Sequence, residues 1–252
     1  LLSHNLSLND KDGHLGEWIS VISKSNNSKN TIKLAIVGKY VELQDSYLSV
    51  KESLIHAGIS NNVEIQIEWI NSEEININNI NEVFEDIKGI IVPGGFDKRG
   101  TQGMIDTSKY ARENKIPYFG LCLGLQIMVI EAARNLLGYE DSNSTEFDET
   151  TPFPVIDLMP EQLKSLHKGG SMRLGLYECK IIDSTYTKKI YKSTNVKERH
   201  RHRYEVNNKY VKELANVGLI PSGVHTEGDL VEIMEYNDHP FMIGVQFHPE
   251  FL

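Results

Sequence analysis

The 252-residue sequence predicts an α/β protein, with a mostly parallel central sheet flanked by helices and a small antiparallel extension. Two observations carry this prediction. From residue 31 to residue 138, short apolar segments alternate with segments of helical periodicity, which is the rhythm of a helix-covered parallel sheet. After residue 172 further strand-type segments follow, and two of them are joined only by a short turn, which favours antiparallel pairing.

The composition limits the kind of protein this is. Hydrophobic residues make up 40% of the chain, enough for a sizeable core, and the net charge of −9 argues against nucleic acid as a partner. The chain has no run of about 18 uncharged apolar residues, and residues 1–12 lack the basic start and apolar centre of a signal peptide. Two cysteines, Cys122 and Cys179, are too few for a disulfide scaffold. We therefore expect a cytoplasmic protein that binds no membrane.

The first 30 residues differ from the rest of the chain in composition and in hydrophobic pattern. We interpret residues 1–30 as a linker segment with a short helix, and residues 31–252 as a single domain. Residues 23–30 are polar and are interpreted as the linker proper. The apolar residues of the short helix recur at helical spacing, at Leu15, Trp18, Ile19 and Ile22.

The first half of the domain contains four predicted strands and four predicted helices. The strands are predicted at residues 32–37, 63–69, 89–92 and 118–120. The helices are predicted at residues 46–57, near 83–87, at 107–113 and at 125–137. Ser46 is predicted to cap the first helix, Gly58 to stop it, and Gly138 to close the last helix.

The second half is less regular. Residues 141–172 are polar and contain three prolines, so we expect loops there. Strands are predicted at residues 173–182, 230–236 and 241–247, the last two joined by a turn at residues 237–238. These strands form the predicted antiparallel extension of the sheet.

Residues 118–126 combine a strand, a cysteine and the start of a helix. Gly120 and Gly124 stand two residues on either side of Cys122, which is the nucleophile-elbow pattern with cysteine in place of serine. The glycines permit a sharp turn without a Cβ clash, and the turn places the sulfur where a helix dipole favours a thiolate. The alternative is a small buried core cysteine, which most free cysteines are.

A base and an acid follow near the end of the sequence. His248 comes directly after the predicted strand at 241–247, so we expect it at the end of the sheet. Glu250 lies two residues further, on the same face of a segment that Pro249 is predicted to keep extended. A carboxylate on one imidazole nitrogen supports the imidazolium that forms when the other nitrogen accepts a thiol proton. Unless they lie on a surface turn, these residues complete, with Cys122, the set that acyl transfer needs.

A third segment, P-G-G-F at residues 93–96, ends the predicted strand at 89–92. Two glycines expose backbone N–H groups, which together with the N–H group of Leu123 can hold a developing oxyanion. A tight loop without a ligand is the alternative for an isolated pair of glycines. Cys179 lies in an alternating strand with no histidine nearby, and we interpret it as a core residue.

These motifs together resemble the class I glutamine amidotransferases, a family with a flavodoxin-like fold. The resemblance lies in residues 93–96, residues 120–126 and the Q-F-H-P-E segment at 246–250. More narrowly, the sequence resembles the glutaminase domain of CTP synthases. The segments that carry this second resemblance are G-G-S-M-R-L-G at 169–175, N-S-T-E-F at 143–147 and E-R-H-R-H-R-Y-E at 198–205.

The resemblance implies a role for each matched residue. Cys122 would attack the side-chain amide of glutamine, His248 would act as acid and base, and Glu250 would orient the imidazole. A glutamyl thioester would then be hydrolysed by water. The oxyanion hole would come from the backbone of Gly95 and Leu123. The residues implied to bind glutamine are Gly95, Phe96, Leu123, Gln126, Glu146, Arg203 and Tyr204.

The resemblance also implies a longer enzyme. In the family, a synthetase domain uses ATP with Mg²⁺ and the released ammonia to convert UTP to CTP. This sequence contains no G-x-x-x-x-G-K-[ST] pattern, so we expect that domain elsewhere on the same longer chain. The resemblance further implies a homo-oligomeric full enzyme with GTP as its activator. We expect no metal ion or cofactor in the present domain.

One position departs from the family, and other interpretations stay open. Asp97 stands where the family usually has glycine, and a Cβ at that position can alter the loop over the glutamine. The basic run at 197–203 alone would also fit a nucleic-acid patch or a metal tract, which the net charge and the lack of zinc-type spacing disfavour. A stand-alone γ-glutamyl hydrolase and a non-catalytic module are the competing functions. Glu146 and Arg203 argue against the former, and the intact cysteine, histidine and glutamate argue against the latter.

Overall fold

The computed structural model describes residues 16–26, 30–158, 172–226 and 229–251. The strands in these ranges are β1 (Asn30–Gly38), β2 (Val63–Asn71), β3 (Gly89–Val92), β4 (Tyr118–Leu121), β5 (Ser142–Ser144), β6 (Phe153–Leu158), β7 (Arg173–Ile181), β8 (Asn195–His202), β9 (Tyr204–Val206), β10 (Leu219–His225), β11 (Val231–Tyr236) and β12 (Met242–Val245). The helices are α1 (Gly16–Asn26), α2 (Leu48–Asn61), α3 (Ile80–Val83), α4 (Thr101–Asn114), α5 (Leu123–Asn135), α6 (Tyr186–Tyr191) and α7 (Asn208–Asn216).

Nine of the described strands form one mixed sheet, in the order β2-β1-β3-β4-β12-β11-β10-β7-β8. The five strands from β2 to β12 are parallel, and their order is that of flavodoxin-like folds. The four remaining strands are antiparallel to their neighbours. The predicted fold class is confirmed, and the antiparallel part is larger than the small extension that we expected.

A second sheet of three short strands, β5-β6-β9, lies on the far side of α5. Helix α5 packs against β4 and β12 of the large sheet as well as against all three strands of the small one. Every residue from Leu123 to Ala133 is therefore buried. This all-round burial explains why the helix is apolar on every face, and it fixes the start of α5 firmly beside the ends of the parallel strands.

Several predicted element bounds are corrected by the structure. Helix α2 begins after a 3-10 turn (Gln44–Tyr47) that contains Ser46, so Ser46 does not cap the helix. The helix continues through Gly58 to Asn61, and its C-cap residue, Asn62, has the left-handed conformation. A Cβ at Gly58 would lie 2.8 Å from the carbonyl oxygen of Val63, so this glycine allows close packing on β2 and is not a stop signal.

Three other helices also differ from their predicted bounds. Helix α3 (Ile80–Val83) lies earlier than the prediction at 83–87. Helix α4 begins six residues before residue 107. The prediction missed its first turns because they contain polar residues and a glycine that carry no apolar periodicity. Helix α5 begins and ends two residues early, so Gly138, with φ +74°, lies beyond it and does not form its C-cap.

At the start of the chain, α1 continues to Asn26, into the segment that we interpreted as a polar linker. Residues 27–29 lie outside the described residues, and β1 begins at Asn30. The apolar side chains of Trp18, Ile19 and Ile22 on α1 are exposed. The division of the chain at residue 30 stays a prediction.

The second half contains more regular structure than the sequence predicted. Strands β5 and β6 lie within the predicted loop region 141–172, of which residues 159–171 are outside the described residues. Strands β8, β9 and β10 and helices α6 and α7 were not predicted. Within the described ranges, none of the helices is both long and apolar enough to cross a membrane.

Candidate active site

Cys122 lies at the sharp turn between β4 and α5, as the elbow pattern predicts. Its backbone has φ 50° and ψ −97°, and its N–H group donates to the carbonyl oxygen of Val245 at 2.7 Å. Neither flanking glycine has a positive φ; both are needed for close approach. A Cβ at Gly120 would lie 2.5 Å from the carbonyl carbon of Gly124, and one at Gly124 would lie 2.2 Å from the carbonyl oxygen of Val92. The strained residue is therefore the cysteine itself, which is held by the strands on both sides.

His248 and Glu250 lie beside this cysteine. The Nδ1–H group of His248 donates to Oε1 of Glu250 at 2.8 Å, and both side chains line one cavity with Cys122. The segment between the two is not extended, as we predicted, but forms a 3-10 turn (Pro249–Phe251). The turn still directs both side chains to one side. Because the N–H group of His248 donates to the carbonyl oxygen of Arg199 at 2.8 Å, the turn is also tied to β8.

The charge on His248 follows from these neighbours. Burial alone would lower the pKa of the imidazole, but hydrogen bonds and charge interactions with Cys122 and Glu250 outweigh it and raise the pKa to about 10. The imidazole therefore carries its proton at neutral pH when it faces a thiolate. A cysteine–imidazolium pair oriented by a carboxylate is suited to nucleophilic attack followed by protonation of a leaving group.

Gly94, Gly95 and Leu123 lie beside Cys122. Leu123 is the first residue of α5, so its N–H group has no acceptor within the helix. A Cβ at Gly95 would lie 3.2 Å from Cδ2 of Leu123, which places the two residues side by side. Both predicted oxyanion residues thus lie next to Cys122, at the ends of β3 and β4.

Replacing Gly94 with alanine is expected to lower kcat for the glutamine hydrolysis that the sequence resemblance implies about 10- to 100-fold. A Cβ at Gly94 would lie 2.7 Å from Cε1 of His248, so the imidazole must move away from the sulfur. Steady-state kinetics and circular dichroism check this result, with Gly16→Ala as the control because nothing lies within 4 Å of the added methyl group. Equal activity of Gly94→Ala and wild type would show that the close contact does not matter.

The loop after Gly95 is held by a buried lysine. The ammonium of Lys39 donates to the carbonyl oxygens of Phe96, at 2.7 Å, and of Asp97. Asp97 has φ +65°, which is the backbone conformation that favours the glycine usual in the family. Its carboxylate accepts from the N–H group of Arg99 at 2.6 Å. Lys39 and this turn together accommodate the substitution that the sequence identified as a departure.

A cavity of about 410 Å³ opens beside Cys122 and contains most of the predicted glutamine-binding residues. Glu146 accepts from the N–H group of Asp97 at 3.0 Å, and burial raises its pKa against the lowering effects of that N–H group, of Lys39 and of Arg203. The side-chain amide of Gln126 donates to the carbonyl oxygen of Tyr204 at 3.0 Å. The lining residues are Gly95, Phe96, Cys122, Gln126, Glu146, Met172, Arg201, His202, Arg203 and Tyr204. Leu123 does not line this cavity, and its place in the site comes from its backbone.

A second cavity of about 340 Å³ adjoins the first. It shares Cys122 with the first cavity, and it is also lined by His248 and Glu250 and by two tyrosines, Tyr40 and Tyr47. Sequence reasoning missed Lys39 and the two tyrosines. The only signal for them was their position just after β1, at the edge where the parallel strands end.

Cys179 contrasts with Cys122. It is fully buried in β7, and burial, followed by the nearby carboxylates of Glu232 and Glu198, raises the pKa of its thiol. The described residues therefore contain one cysteine with a partner base and one packed in the core, as the sequence indicated. In the parts of the chain that the structure describes, no group of three or more histidine, cysteine or acidic side chains is arranged so that it could hold a metal ion.

The fold and this constellation define a class of protein. A family model for glutamine amidotransferase class-I matches residues 42–252, and the chain belongs to that family. The fold alone is shared with a Thermotoga maritima glutamine amidotransferase, at 11% identity and a TM-score of 0.51 over 87% of this chain and 76% of that one.

Within the family, the chain is similar to the glutaminase domain of CTP synthases. CTP synthase of Clostridium beijerinckii is 50% identical over 99% of this chain and 47% of its own length. CTP synthase of Bacillus velezensis is 50% identical over 100% of this chain and 47% of its own length. The chain thus spans about half the length of these curated relatives. A Trypanosoma brucei CTPS glutaminase domain with bound acivicin superposes with a TM-score of 0.82, at 39% identity over 88% of this chain and 87% of that one.

Proposed function

We propose that this chain hydrolyses the side-chain amide of L-glutamine to glutamate and ammonia. One observation carries the proposal: Cys122, at the edge of a cavity of about 410 Å³, lies beside the imidazole of His248, which is hydrogen-bonded to the carboxylate of Glu250. That cavity presents a carboxylate, on Glu146, and a guanidinium, on Arg203. A zwitterionic amino acid with a reactive side chain is the ligand that this combination fits.

The proposed reaction has two halves. The thiolate of Cys122 attacks the amide carbon, the oxygen becomes an oxyanion, and the N–H groups of Gly95 and Leu123 stabilise it. The imidazolium of His248 protonates the departing nitrogen, so ammonia leaves and a glutamyl thioester forms. The neutral imidazole then takes a proton from water, which attacks the thioester. Glutamate leaves and the thiolate and imidazolium are restored.

The head group of the substrate is proposed to bind at the far end of the cavity. Glu146 pairs with the α-ammonium, and Arg203 binds the α-carboxylate with two parallel hydrogen bonds. Phe96, Gln126 and Tyr204 complete the wall and position these charged groups. The charged pair distinguishes glutamine from a simple amide, because an amide without the α-groups leaves both charges unpartnered.

We further propose that the ammonia serves a synthetase domain on the same longer polypeptide. The names of the curated relatives and the share of their length that the chain spans support this step. That domain would use ATP and Mg²⁺ to convert UTP to CTP, with GTP as activator of the glutaminase, in a cytoplasmic homo-oligomer. The present chain would supply the ammonia and needs no metal ion or cofactor for that step.

Covalent labelling of the full-length protein tests the glutaminase proposal. We expect acivicin, the compound bound to the Trypanosoma brucei domain, to add one label, which peptide mass spectrometry locates on Cys122. Excess L-glutamine should prevent the label and D-glutamine should not, because Glu146 and Arg203 fix the handedness of the head group. Cys179 is the internal control, since it is fully buried. Labelling of Cys179 alone, or labelling that L-glutamine does not prevent, would contradict the proposal.

A further inference from the structure

Five ionisable side chains form a buried cluster that the proposed chemistry does not use. This cluster, which we call the Arg173 network, links strands of both sheets. Its carboxylates and imidazoles are each no more than 2% exposed, and the guanidinium is 11% exposed. Its members are Arg173 on β7, His200 and His202 on β8, Glu205 on β9 and Glu232 on β11.

Arg173 connects the two sheets. Its Nη1 lies 3.3 Å from Oε1 of Glu205, in the small sheet, and its Nη2 lies 2.8 Å from Oε1 of Glu232, in the large sheet. The guanidinium also lies over the ring of Tyr177, 4.5 Å from its centroid. A planar cation with several fixed donors can bridge two carboxylates in this way, whereas a lysine ammonium is a single point charge.

The two histidines extend the network towards the glutamine cavity. Nδ1 of His200 lies 2.9 Å from Nε2 of His202, and Nδ1 of His202 lies 3.8 Å from Oε1 of Glu205. Burial lowers the pKa of both imidazoles, so both are neutral. The tautomer in which His200 donates to His202 directs the remaining N–H group of His202 towards the carboxylate of Glu205. The opposite tautomer would direct a lone pair at that carboxylate, so we assign the first.

The position of the network relates it to substrate binding. Arg203 and Tyr204, which line the cavity, lie between His202 and Glu205 in the sequence, so network members flank them on both sides. Met172, the neighbour of Arg173, lines the same cavity. The catalytic side is held differently, because His248 is fixed by the backbone of Arg199 and by Glu250. The charged contacts of the network therefore lead towards Arg203 and Tyr204, while its strand β8 also meets the catalytic turn through the backbone of Arg199.

A purely structural role explains this cluster poorly. Removing several charged and polar groups from water is costly, and packed apolar residues of similar volume often stabilise a protein as well or better. Elsewhere in the chain one such pair, Arg112 with Glu131 at 2.7 Å, suffices to join α4 to α5. Five members gathered around Arg203 and Tyr204, where β8 passes into β9, indicate that the orientation of these two residues is what they control.

We propose that the Arg173 network is a positioning device that fixes Arg203 and Tyr204 for recognition of the α-carboxylate and α-ammonium of the substrate. This inference rests on the proposed glutaminase function. It also assigns a purpose to two sequence segments, around Arg173 and around His200, that the proposed chemistry leaves unexplained.

The test compares Arg173→Lys with Arg112→Lys in the full-length protein. Both changes weaken a buried arginine–glutamate pair of similar exposure, 11% and 16% for the two arginines. Arg173→Lys is expected to raise KM for glutamine about tenfold and to change kcat less than about threefold, whereas Arg112→Lys leaves KM unchanged. Alkylation of Cys122 by iodoacetamide, which has no α-groups, should proceed at the wild-type rate in both variants.

A second variant keeps the test decisive if Arg173→Lys does not fold. His200→Asn removes the ring that donates to His202, does not line the glutamine cavity and leaves no charge unpaired, so it should also raise KM while sparing alkylation. An unchanged KM in the folded variants, or an equal rise in Arg112→Lys, would overturn the positioning role. Absence of glutamine hydrolysis by wild-type protein would instead overturn the proposed function itself, and with it this inference.

Discussion

Replacing Cys122 with alanine is expected to reduce glutamine hydrolysis at least about 10⁴-fold, because the other thiol of the sequence, Cys179, is buried in β7 and cannot form the thioester in its place. The variant should fold, since alanine fits the space of the thiol and the backbone bond to Val245 is kept. Release of glutamate from the full-length protein measures the loss. Thermal unfolding of the same preparation confirms that the fold is retained.

Two controls separate this expectation from general damage. Cys179→Ala removes the other cysteine, which is buried away from the site, and it should keep glutamine hydrolysis near the wild-type rate. In the full-length protein, Cys122→Ala should also retain synthesis of CTP when ammonia is added directly, because only the supply of ammonia is lost. Glutamine hydrolysis that survives in Cys122→Ala would contradict the mechanism. Loss of ammonia-dependent CTP synthesis would contradict the proposal that this chain only supplies ammonia to a separate synthetase domain.

The parallel half of the fold was predictable because its sequence pattern is simple. Strands β1 and β3 are buried where they meet their neighbours, so they are nearly continuous apolar runs. The glycines around Cys122 mark places where neighbouring backbones approach too closely for a Cβ, and Gly94 leaves the space that the imidazole of His248 occupies. Patterns that arise from local packing constraints are visible in one sequence, and most of the candidate site is built from them.

Strand β8 shows why the remainder was not predictable. Its side chains alternate between buried and exposed, but the buried ones are Glu198, His200 and His202, and the exposed ones are arginines. Hydrophobic periodicity is therefore absent, and the segment is indistinguishable from a charged loop unless its buried ionic partners are known. Those partners lie on β7, β9 and β11, so only the tertiary structure supplies them.

His248 and Glu250 are in contact, as predicted, but the local structure that brings them together is not the one that the sequence argument assumed. A spacing of two residues indicated a shared face on an extended segment, whereas the structure has a 3-10 turn in which Pro249 is the first residue. The N–H group of Phe251 closes this turn on the carbonyl oxygen of His248 at 3.4 Å. Lys39 was missed because a lysine after an apolar strand looks like a solvated strand end, yet its side chain is 1% exposed.

Replacing His248 with glutamine is expected to lower kcat for glutamine about 10³-fold, because the departing nitrogen then has no proton donor and the attacking water has no base. Glu250→Gln is a milder variant for comparison. Its side-chain oxygen can still accept a hydrogen bond from Nδ1 of His248, but the negative charge that helps to raise the pKa of His248 is gone. We expect its kcat to lie between those of the wild type and His248→Gln. Steady-state assays at saturating glutamine measure all three, and equal rates in Glu250→Gln and wild type would exclude a role for the carboxylate charge.

The same substitution should change how stability depends on pH. The pKa of His248 is about 10 in the folded protein against an ordinary value of 6.5, so the folded state holds this proton more tightly than the unfolded state does. The resulting stabilisation is complete below pH 6.5 and is lost as the pH rises towards 10. His248→Gln lacks it at every pH. The free energy of unfolding of wild type minus that of the variant, measured by urea denaturation across this range, should therefore fall as the pH rises. A difference that stays constant would show that the imidazole does not bind its proton more tightly in the folded protein, and that the contacts with Cys122 and Glu250 do not hold the charged form.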